Sequence, residues 1–337
     1  MTAAVITPPR PRSELRRIRP ATDLPALADL IETSYGPELA LTGSNLVERL
    51  RQYASMAAFL GFAERIAPLL DGFVWFEDDL LVGNVSINRD ANIPGGWTIS
   101  NVAVLPAYRG RGIAGRLMDT ALAYLDDASA RCVRLQVRSD NEPAVTLYRH
   151  RGFAVYETIQ EMRLARYDLG YSGSPHHPQI GPPRLGEAKE VLQLARQHQP
   201  DVLRELQPIR RSDLGLGLWQ RILWLPAQAL GLTIPHTLVA RSSRSLVGYA
   251  HLEPMGSGTL GLKMHLTGDH APQLAPPLVR ATVGKLGNAS WAQIVAEVAD
   301  QETDLMAALQ TLGFAPLRKL YGMIWEPPRR SRRRAAS

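Results

Sequence analysis

The fold is decided by one stretch of the sequence, NVAVLPAYRGRGIAG at residues 101–115. Residues 102–105 are apolar and predict the end of a strand, which Pro106 terminates. Apolar residues recur at helical spacing from Ile113 onward, so a glycine-rich turn joins the strand to a helix. The first N–H groups of a helix lack partners, and glycines let a phosphate approach the backbone closely. The stretch therefore predicts an anion site, to which Arg109 and Arg111 add positive charge.

Other glycine-rich phosphate sites fit this stretch less well. The glycines satisfy the dinucleotide pattern GxGxxG, but the turn follows a predicted β-hairpin instead of opening its domain. The next predicted strand ends at residues 136–138 without an acidic residue, and no Gly-Lys-Ser/Thr follows to form a P-loop. A glycine turn with exposed arginines and no ligand is the alternative from this stretch alone.

The residues around this stretch predict an alternation of strands and helices. A hairpin is expected at 72–77 and 80–88, with Val82, Val85 and Ile87 as its apolar positions. The other predicted elements are a weak strand at 15–19, helices from about 23 to 35 and from about 44 to 70, strands at 97–105, 132–137 and 153–164, and helices at 112–125 and 142–151.

Two motifs in order resemble those of a known family. The run VLPAYRGRGIA at 104–114 resembles the acetyl-coenzyme A motif of the GCN5-related N-acetyltransferases (GNAT), whose pattern is Arg/Gln-x-x-Gly-x-Gly/Ala. The run NEPAVTLYRHRGF at 141–153 resembles that family's second signature at the expected separation. The resemblance covers about residues 14–165 and implies an α/β domain with a mixed, mainly antiparallel sheet flanked by helices.

The resemblance also implies a site and a reaction. Acetyl-CoA is the expected co-substrate, with its pyrophosphate on the glycine turn and its pantetheine arm along a strand that splays away from its neighbour. Tyr148 matches the family's general acid, and an amine is the expected acceptor, small or on a protein. The residues expected to bind the co-substrate are Val102, Ala103, Val104, Arg109, Gly110, Arg111, Gly112, Ile113, Ala114 and Asn141.

The general base is not given by the resemblance. Many family members carry a glutamate near the start of the strand before the phosphate turn, and Thr98 stands at that place here. Alkyl ammonium groups must lose a proton before they attack, so a base is needed at neutral pH. The acidic residues in segments that border the acceptor cleft of the family are Glu32, Glu38 and Glu161, each of which could end a water chain.

The second half of the chain repeats the first in a weaker form. At an offset of 161, residues 298–323 fall on 137–162 with five identities, including the Gly-Phe-Ala at 152–154. The same offset places Glu302 and Leu309 where Asn141 and Tyr148 stand, and residues 266–273 hold one glycine and no arginine. We therefore expect a degenerate copy that binds no coenzyme A and serves as scaffold, as a wall of the acceptor site or as a dimer surface. Side chains proposed for such a contact are Trp219, Leu223 and Trp224.

These observations predict two tandem GNAT-like domains. We expect a flexible N-terminus at 1–13, a catalytic domain at 14–165 and a Pro- and Gly-rich linker at 166–183, followed by the degenerate domain at 184–326 and a basic tail at 327–337. The predicted function is acetyl transfer from acetyl-CoA to an amine. The alternative is a non-catalytic sensor of acyl-CoA, or a scaffold, which Thr98 favours.

Composition excludes several other classes of protein. Hydrophobic residues make up 45% and charged residues 21%, as in globular domains. No uninterrupted apolar run reaches about 20 residues and no secretory signal is legible, so we expect a cytoplasmic protein without a membrane partner. The single cysteine, Cys132, permits no intrachain disulfide, and the histidines show no ligand spacing, so we expect no metal.

The positive charge of the chain is concentrated at its ends. The formal net charge is +6, yet five arginines lie between 329 and 334, and five more against one glutamate lie before residue 20. The rest of the chain is mildly acidic. A solvated basic tail explains this pattern, and we do not expect a nucleic-acid partner. A homodimer is left open.

Overall fold

A computed structural model describes residues 12–60, 71–165, 177–184, 186–216, 235–242, 245–256, 258–267, 270–286 and 291–327. Several sequence predictions lie outside these ranges. They concern residues 1–11 of the N-terminus, the end of the predicted helix at 61–70, residues 166–176 of the linker, the aromatic contact at 219–224, and residues 328–337 of the basic tail.

The first half contains six strands and four α-helices among its described residues, in the predicted order. They are β1 (Ser13–Arg17), α1 (Pro20–Thr42), α2 (Leu46–Leu60), β2 (Asp71–Glu77), β3 (Leu80–Arg89), β4 (Gly96–Val104), α3 (Ile113–Asp127), β5 (Cys132–Arg138), α4 (Glu142–Arg149) and β6 (Ala154–Ala165). The predicted end of α1 at residue 35 is wrong. The pair Gly36-Pro37 predicts a stop, but Tyr35 and Leu39 pack against the same core cluster, and the helix continues to a left-handed cap at Gly43.

The second half repeats the order of strands and helices. Its described elements are β7 (Ile180–Gly181), α5 (Ala188–Gln197), α6 (Asp201–Leu206), β8 (His236–Ser242), β9 (Ser245–Gly256), β10 (Thr259–Leu266), α7 (Ala271–Gly284), β11 (Gln293–Ala299), α8 (Thr303–Thr311) and β12 (Ala315–Trp325). The predicted α/β class with two copies of one fold is therefore confirmed.

The strands of both halves form one continuous sheet of twelve strands. Their order is β1-β2-β3-β4-β5-β12-β6-β11-β10-β9-β8-β7. The last strand of each half is exchanged: β12 lies between β5 and β6, and β6 lies between β12 and β11, all antiparallel. The sequence predicted one sheet in each half, and this exchange joins the two.

Helices cover both faces of the first half's sheet. The apolar face predicted for α3 is buried, with Leu117, Ala121 and Leu125 at 0% exposure, and it packs on the predicted hairpin positions of β3. Full burial of a leucine side chain stabilises a fold by about 1.5–3 kcal/mol. Gly83 on β3 allows close approach, because a Cβ there would lie 2.9 Å from the Cγ2 of Ile113. The first turn of α3 is thereby fixed directly on the sheet.

The two parallel strands β4 and β5 diverge. They pair at only three positions, from Gly96 with Cys132 to Thr98 with Arg134. Beyond Thr98, β4 stays paired with β3 alone, and its other edge faces an opening. None of the helices within the described ranges combines the length and apolar character needed to cross a membrane.

Candidate active site

The glycine turn lies between β4 and the first turn of α3. A short 3-10 turn at Pro106–Tyr108 leads into it, and Gly110 and Gly112 have φ angles of 76° and 75°. This left-handed backbone favours glycine at both positions. A Cβ at either glycine would meet nothing within 4 Å, so open space lies beside the turn. Gly112 caps α3 without any side-chain hydrogen bond, and the first turn carries no acidic residue. The turn therefore fits an anion.

The two arginines of the turn are exposed and fold back on the protein. The Nε of Arg109 donates to the carbonyl of Val104 at 3.1 Å. The guanidinium of Arg111 lies 4.7 Å from the ring centre of Tyr108 and donates to Ala107 at 3.1 Å. The backbone N–H of Arg109 is used inside the turn, since it donates to Pro106 at 3.3 Å. The N–H groups that face an anion are therefore those after Arg109.

Two features of the backbone leave one edge of β4 without a neighbouring strand: the alternation of its hydrogen bonds and a bulge. The Leu105 N–H donates to Val82 on β3 at 2.9 Å, and Ala103 pairs with Asn84, so Val104 between them directs its N–H and C=O to the opposite side. A bulge precedes this segment, where Asn101 has a φ of 51°. The Nδ2 of the buried Asn84 donates to the Asn101 carbonyl at 2.9 Å and holds the bulge.

Tyr35 reaches the same edge from α1. Its hydroxyl donates to the Val102 carbonyl at 2.5 Å. Burial, with a smaller effect of Glu38, raises the pKa of Tyr35 to about 12. Sequence reasoning missed this residue. The available signal was the i, i+3 and i+4 spacing of Tyr35, Glu38 and Leu39, but the predicted helix ended at residue 35 and left Glu38 and Leu39 outside it.

Tyr148 and Asn141 both belong to α4. Tyr148 is buried, with its ring 5.9 Å from that of Phe153. Burial, and secondarily Tyr35, raise the pKa of Tyr148 well above its ordinary value of 10, so its hydroxyl carries its proton at neutral pH. Asn141 caps the helix, with its Oδ1 accepting from the Ala144 N–H at 3.3 Å.

A cleft of about 580 Å³ opens where β4 and β5 diverge. Its walls come from α1, β4, β5, β6 and β12, so the second half contributes directly to it. The lining residues include Tyr35, Glu38, Thr98, Ile99, Ser100, Asn101, Arg134, Gln136, Val137, Arg138, Tyr156, Arg318 and Leu320. Thr98 lies on this wall, where the family carries its glutamate.

The three candidate base residues occupy different environments. Glu32 is exposed on α1 and pairs with Arg51 at 2.5 Å. Glu38 lines the cleft, and Glu161 is 6% exposed. The guanidinium of Arg318 binds both Glu38 and Glu161, with a 3.1 Å hydrogen bond from its Nη2 to Glu161.

Arg318 keeps its positive charge in this setting. Burial opposes the charge, but the hydrogen bonds and charge of Glu161, helped by Glu38, outweigh it and raise the pKa of the guanidinium. Because Arg318 lies on β12, the two carboxylates of the first half are held by a cation from the second half.

The described residues of the second half differ from the first at the corresponding places. β10 pairs with β9 without a bulge at the corresponding place, and α7 begins after residues 267–270, of which 268–269 lie outside the described ranges. Glu302 stands at the N-cap of α8, as Asn141 does for α4. Leu309 replaces Tyr148 and is fully buried. That this copy binds no coenzyme A stays a prediction.

Comparison with known proteins identifies the fold, and it finds a family match for part of the first half. The model of the acetyltransferase (GNAT) family matches residues 42–153. Two solved structures share the fold over nearly the whole chain at 14% identity. A GCN5-related N-acetyltransferase from Sphaerobacter thermophilus has a TM-score of 0.62, covering 95% of this chain and 97% of its own. A tandem GNAT protein from the clavulanic acid biosynthesis pathway has a TM-score of 0.55, covering 94% and 98%.

Curated relatives match over shorter segments. The N-alpha-acetyltransferase RimI of Mycobacterium tuberculosis is 42% identical over 74 residues, which are 22% of this chain and 45% of that protein. A mycothiol acetyltransferase of Brachybacterium faecium is 36% identical over 116 residues, which are 34% of this chain and 32% of that protein. The alignments therefore span less than half the length of these two relatives. Residues 42–153 thus carry a domain that matches the acetyltransferase (GNAT) family.

Proposed function

We propose that the first half transfers an acetyl group from acetyl-CoA to an amine. The observation that carries this proposal is the position of the left-handed N-cap Gly112, which offers α3 no side-chain hydrogen bond, beside the open edge of β4. An anion-binding helix terminus and an unpaired strand edge together match an extended ligand that begins with a pyrophosphate and continues as an amide-containing arm.

The proposed binding residues follow from this arrangement. The backbone N–H groups of residues 110–114 hold the pyrophosphate, and the exposed Arg109 and Arg111 turn toward it. The edge of β4 at Val102, Ala103 and Val104 pairs with the pantetheine arm. The Nδ2 of Asn141 is available to the same arm, because its Oδ1 is used in the helix cap.

Two groups of this chain act on the thioester. The N–H of Val104 points to the open side of β4 and stabilises negative charge on the acetyl oxygen as the amine attacks. Tyr148 donates its proton to the departing thiolate. The raised pKa of Tyr148 supports this role, because the hydroxyl remains protonated throughout the neutral range.

Glu38 is our proposed acceptor of the amine's proton, through water. It lines the cleft, whereas Glu32 is paired on the outer surface and Glu161 is buried behind Arg318. The acceptor amine enters beside the Arg318 ion pairs. Relatives named for N-alpha-acetylation and for mycothiol suggest that both protein N-terminal amines and small-molecule amines belong in an acceptor screen.

The test uses the full chain and two readouts. Calorimetric titration with acetyl-CoA measures affinity, and release of free thiol in the presence of an amine panel measures transfer. Tyr148→Phe should lower turnover by about 100-fold or more with an unchanged affinity for acetyl-CoA. The matched control is Tyr249→Phe, which removes an equally buried hydroxyl from the second half. Absence of saturable binding, or an equal loss of affinity and turnover in Tyr148→Phe, would refute the assigned roles.

A non-catalytic sensor of acyl-CoA is the second candidate. It is favoured by Thr98 at the place of the family's glutamate and by the engagement of Glu38 and Glu161 with Arg318. Tight binding of acetyl-CoA without thiol release across the whole amine panel would select this candidate over the enzyme.

A further inference from the structure

The second half has a cleft of its own at the place that corresponds to the first. β10 and β11 pair at four positions, from Thr259 with Gln293 to Leu262 with Ala296, and no pairing continues beyond them. A cleft of about 820 Å³ lies here, walled by β10 and β11, by the segment after α5 and by β6 of the first half. In this half, Glu302 and Leu309 stand at the places of Asn141 and Tyr148, so the cleft needs a different explanation.

Three metal-ligating side chains meet in this cleft. His198 follows α5, His265 lies on β10 and Glu302 precedes α8. One donor atom from each lies within 4.8 Å of the others. The Nδ1 of His265 lies 2.5 Å from a carboxylate oxygen of Glu302, and the two imidazole rings stack with 20° between their planes.

The two ring nitrogens of the buried His265 have different surroundings. The residue is 5% exposed, and its Nε2 is buried without a hydrogen-bond partner among the described residues. The unpartnered Nε2 lies on the opposite side of the ring from Glu302, so an ion that both residues bind takes the Nδ1 side. There the ion replaces the proton that Nδ1 and the Glu302 carboxylate share at 2.5 Å.

The first half does not contain this set of donors. In the first half Ala103 pairs with Asn84, and in the second half His265 pairs with Tyr249. Each pair lies one residue before the last pair of its two strands, so Ala103 stands at the place of His265. Asn141 stands in place of Glu302. The three ligands therefore belong to the second half specifically and are not a general property of the fold.

We propose that His198, His265 and Glu302 bind a divalent transition metal, of which zinc fits best. Two imidazoles and one carboxylate form a borderline donor set, and three protein ligands leave a fourth position open to the cleft. With metal–ligand bonds of about 2.0–2.1 Å, tetrahedral donors lie about 3.4 Å apart. The exposed His198 can close the remaining distance by side-chain rotation. The neighbouring Glu253 and Lys263 are paired with each other at 2.6 Å.

The fold, and not the sequence pattern, carries this inference. The histidines lack the short regular spacing of known zinc motifs, and for that reason no metal is predicted from the sequence. His198 and His265 are 67 positions apart, and Glu302 is 37 positions further on, so only the topology unites them.

The test is a metal titration of the full-length protein after treatment with a chelator. Zn²⁺ should bind at one site per chain by calorimetry, and Co²⁺ should give the visible absorption of a four- or five-coordinate ion. His198→Ala, His265→Ala and Glu302→Gln should each weaken binding by at least tenfold. His270→Ala, a histidine of the same half outside the cluster, should bind as the unmodified protein does.

Two outcomes would overturn the proposal. One is the absence of saturable Zn²⁺ binding up to millimolar concentration, and the other is equal binding by all the variants. Circular dichroism and acetyl-CoA titration report whether each variant is folded. If His265→Ala does not fold, His198→Ala decides the matter alone, because His198 is exposed and its loss leaves the core intact.

Discussion

In the first half, eight residues separate β4 from α3, whereas four separate β10 from α7 in the second. The longer connection contains the whole glycine turn. Core positions match in spite of this difference: Phe153 and Phe314 are 3% and 2% exposed, and Met162 and Met323 are 1% and 0%. Packing therefore keeps the two halves alike, and the loop and its neighbours decide what each half can bind.

The first prediction concerns the independence of the halves. Expressed separately, residues 1–170 and 180–337 should not fold, because each lacks the strand that completes its sheet. Without β12, the first half loses the burial of Leu320, Met323 and Ile324, at about 1.5–3 kcal/mol each. That loss is comparable with the total stability of about 5–15 kcal/mol for a domain.

Circular dichroism and size-exclusion chromatography measure this prediction. The two fragments should regain the native spectrum when they are expressed together. Cooperative unfolding of the isolated first half, with native acetyl-CoA affinity, would show that the exchanged strands are dispensable.

The second prediction concerns the ion pairs that join the halves. Arg318→Met should lower the free energy of unfolding by about 2–4 kcal/mol, because it leaves the buried Glu161 without its cation. Lys319→Met is the matched control. It removes a half-exposed pair with Asp300 from the next residue of the same strand and should cost less than about 1 kcal/mol.

Chemical denaturation of the variants checks these values. The double variant Arg318→Met with Glu161→Gln should recover part of the lost stability, since it removes the uncompensated charge. Equal effects of Arg318→Met and Lys319→Met would show that the buried pair is no more important than a surface pair.

The third prediction compares two left-handed glycines. Gly112→Ala should reduce acetyl-CoA affinity by about tenfold and stability by about 1–2 kcal/mol, because a Cβ strains the left-handed turn and covers the N–H groups. The control is Gly256→Ala in the second half, because Gly256 has a φ of 102° and equally open surroundings. It should show a comparable loss of stability with no change in affinity, as calorimetry can determine. If Gly112→Ala bound acetyl-CoA with unchanged affinity, the anion site would have to lie outside this turn.

The smallest expected effect is a pH dependence in the second cleft. His251, whose Nε2 lies 3.8 Å from the carboxylate, and Lys263, which binds it at 2.6 Å, lower the pKa of Glu253 to about 2 against the opposing effect of burial. A lowered pKa in the folded state stabilises the protein above the unfolded value near 4.3, and this contribution is lost as the pH falls toward 2. Glu253→Gln should therefore destabilise the protein slightly at pH 6, with a difference that disappears near pH 2. A difference in the free energy of unfolding that is independent of pH would contradict this.

Local pattern was sufficient for the strands and for the glycine turn. The hairpin of β2 and β3 and the start of α3 at Ile113 follow from alternation, glycine and helical spacing, all of which involve near neighbours in sequence. The position of Tyr148 on α4 was predicted in the same way.

Contacts between distant residues could not be predicted from these patterns. Arg318 is 280 positions from Glu38, and nothing in either segment indicates that they meet. Tyr35 was missed as a site residue because the predicted helix ended there, since Gly-Pro normally ends a helix. In the structure the packing of Leu39 lets the helix continue past Gly36-Pro37. The bulge at Asn101 depends on the buried Asn84 across the sheet, so it too required the tertiary structure.

The exchanged strands also set the timing of folding during synthesis. β6 leaves the ribosome long before β12, and about 150 residues must be made between them. At about 5–20 residues per second, the first half waits roughly 8–30 s for the strand that fills the gap between β5 and β6. During that interval a nascent chain exposes two unpaired strand edges, which are the surfaces that chaperones protect and that aggregation uses.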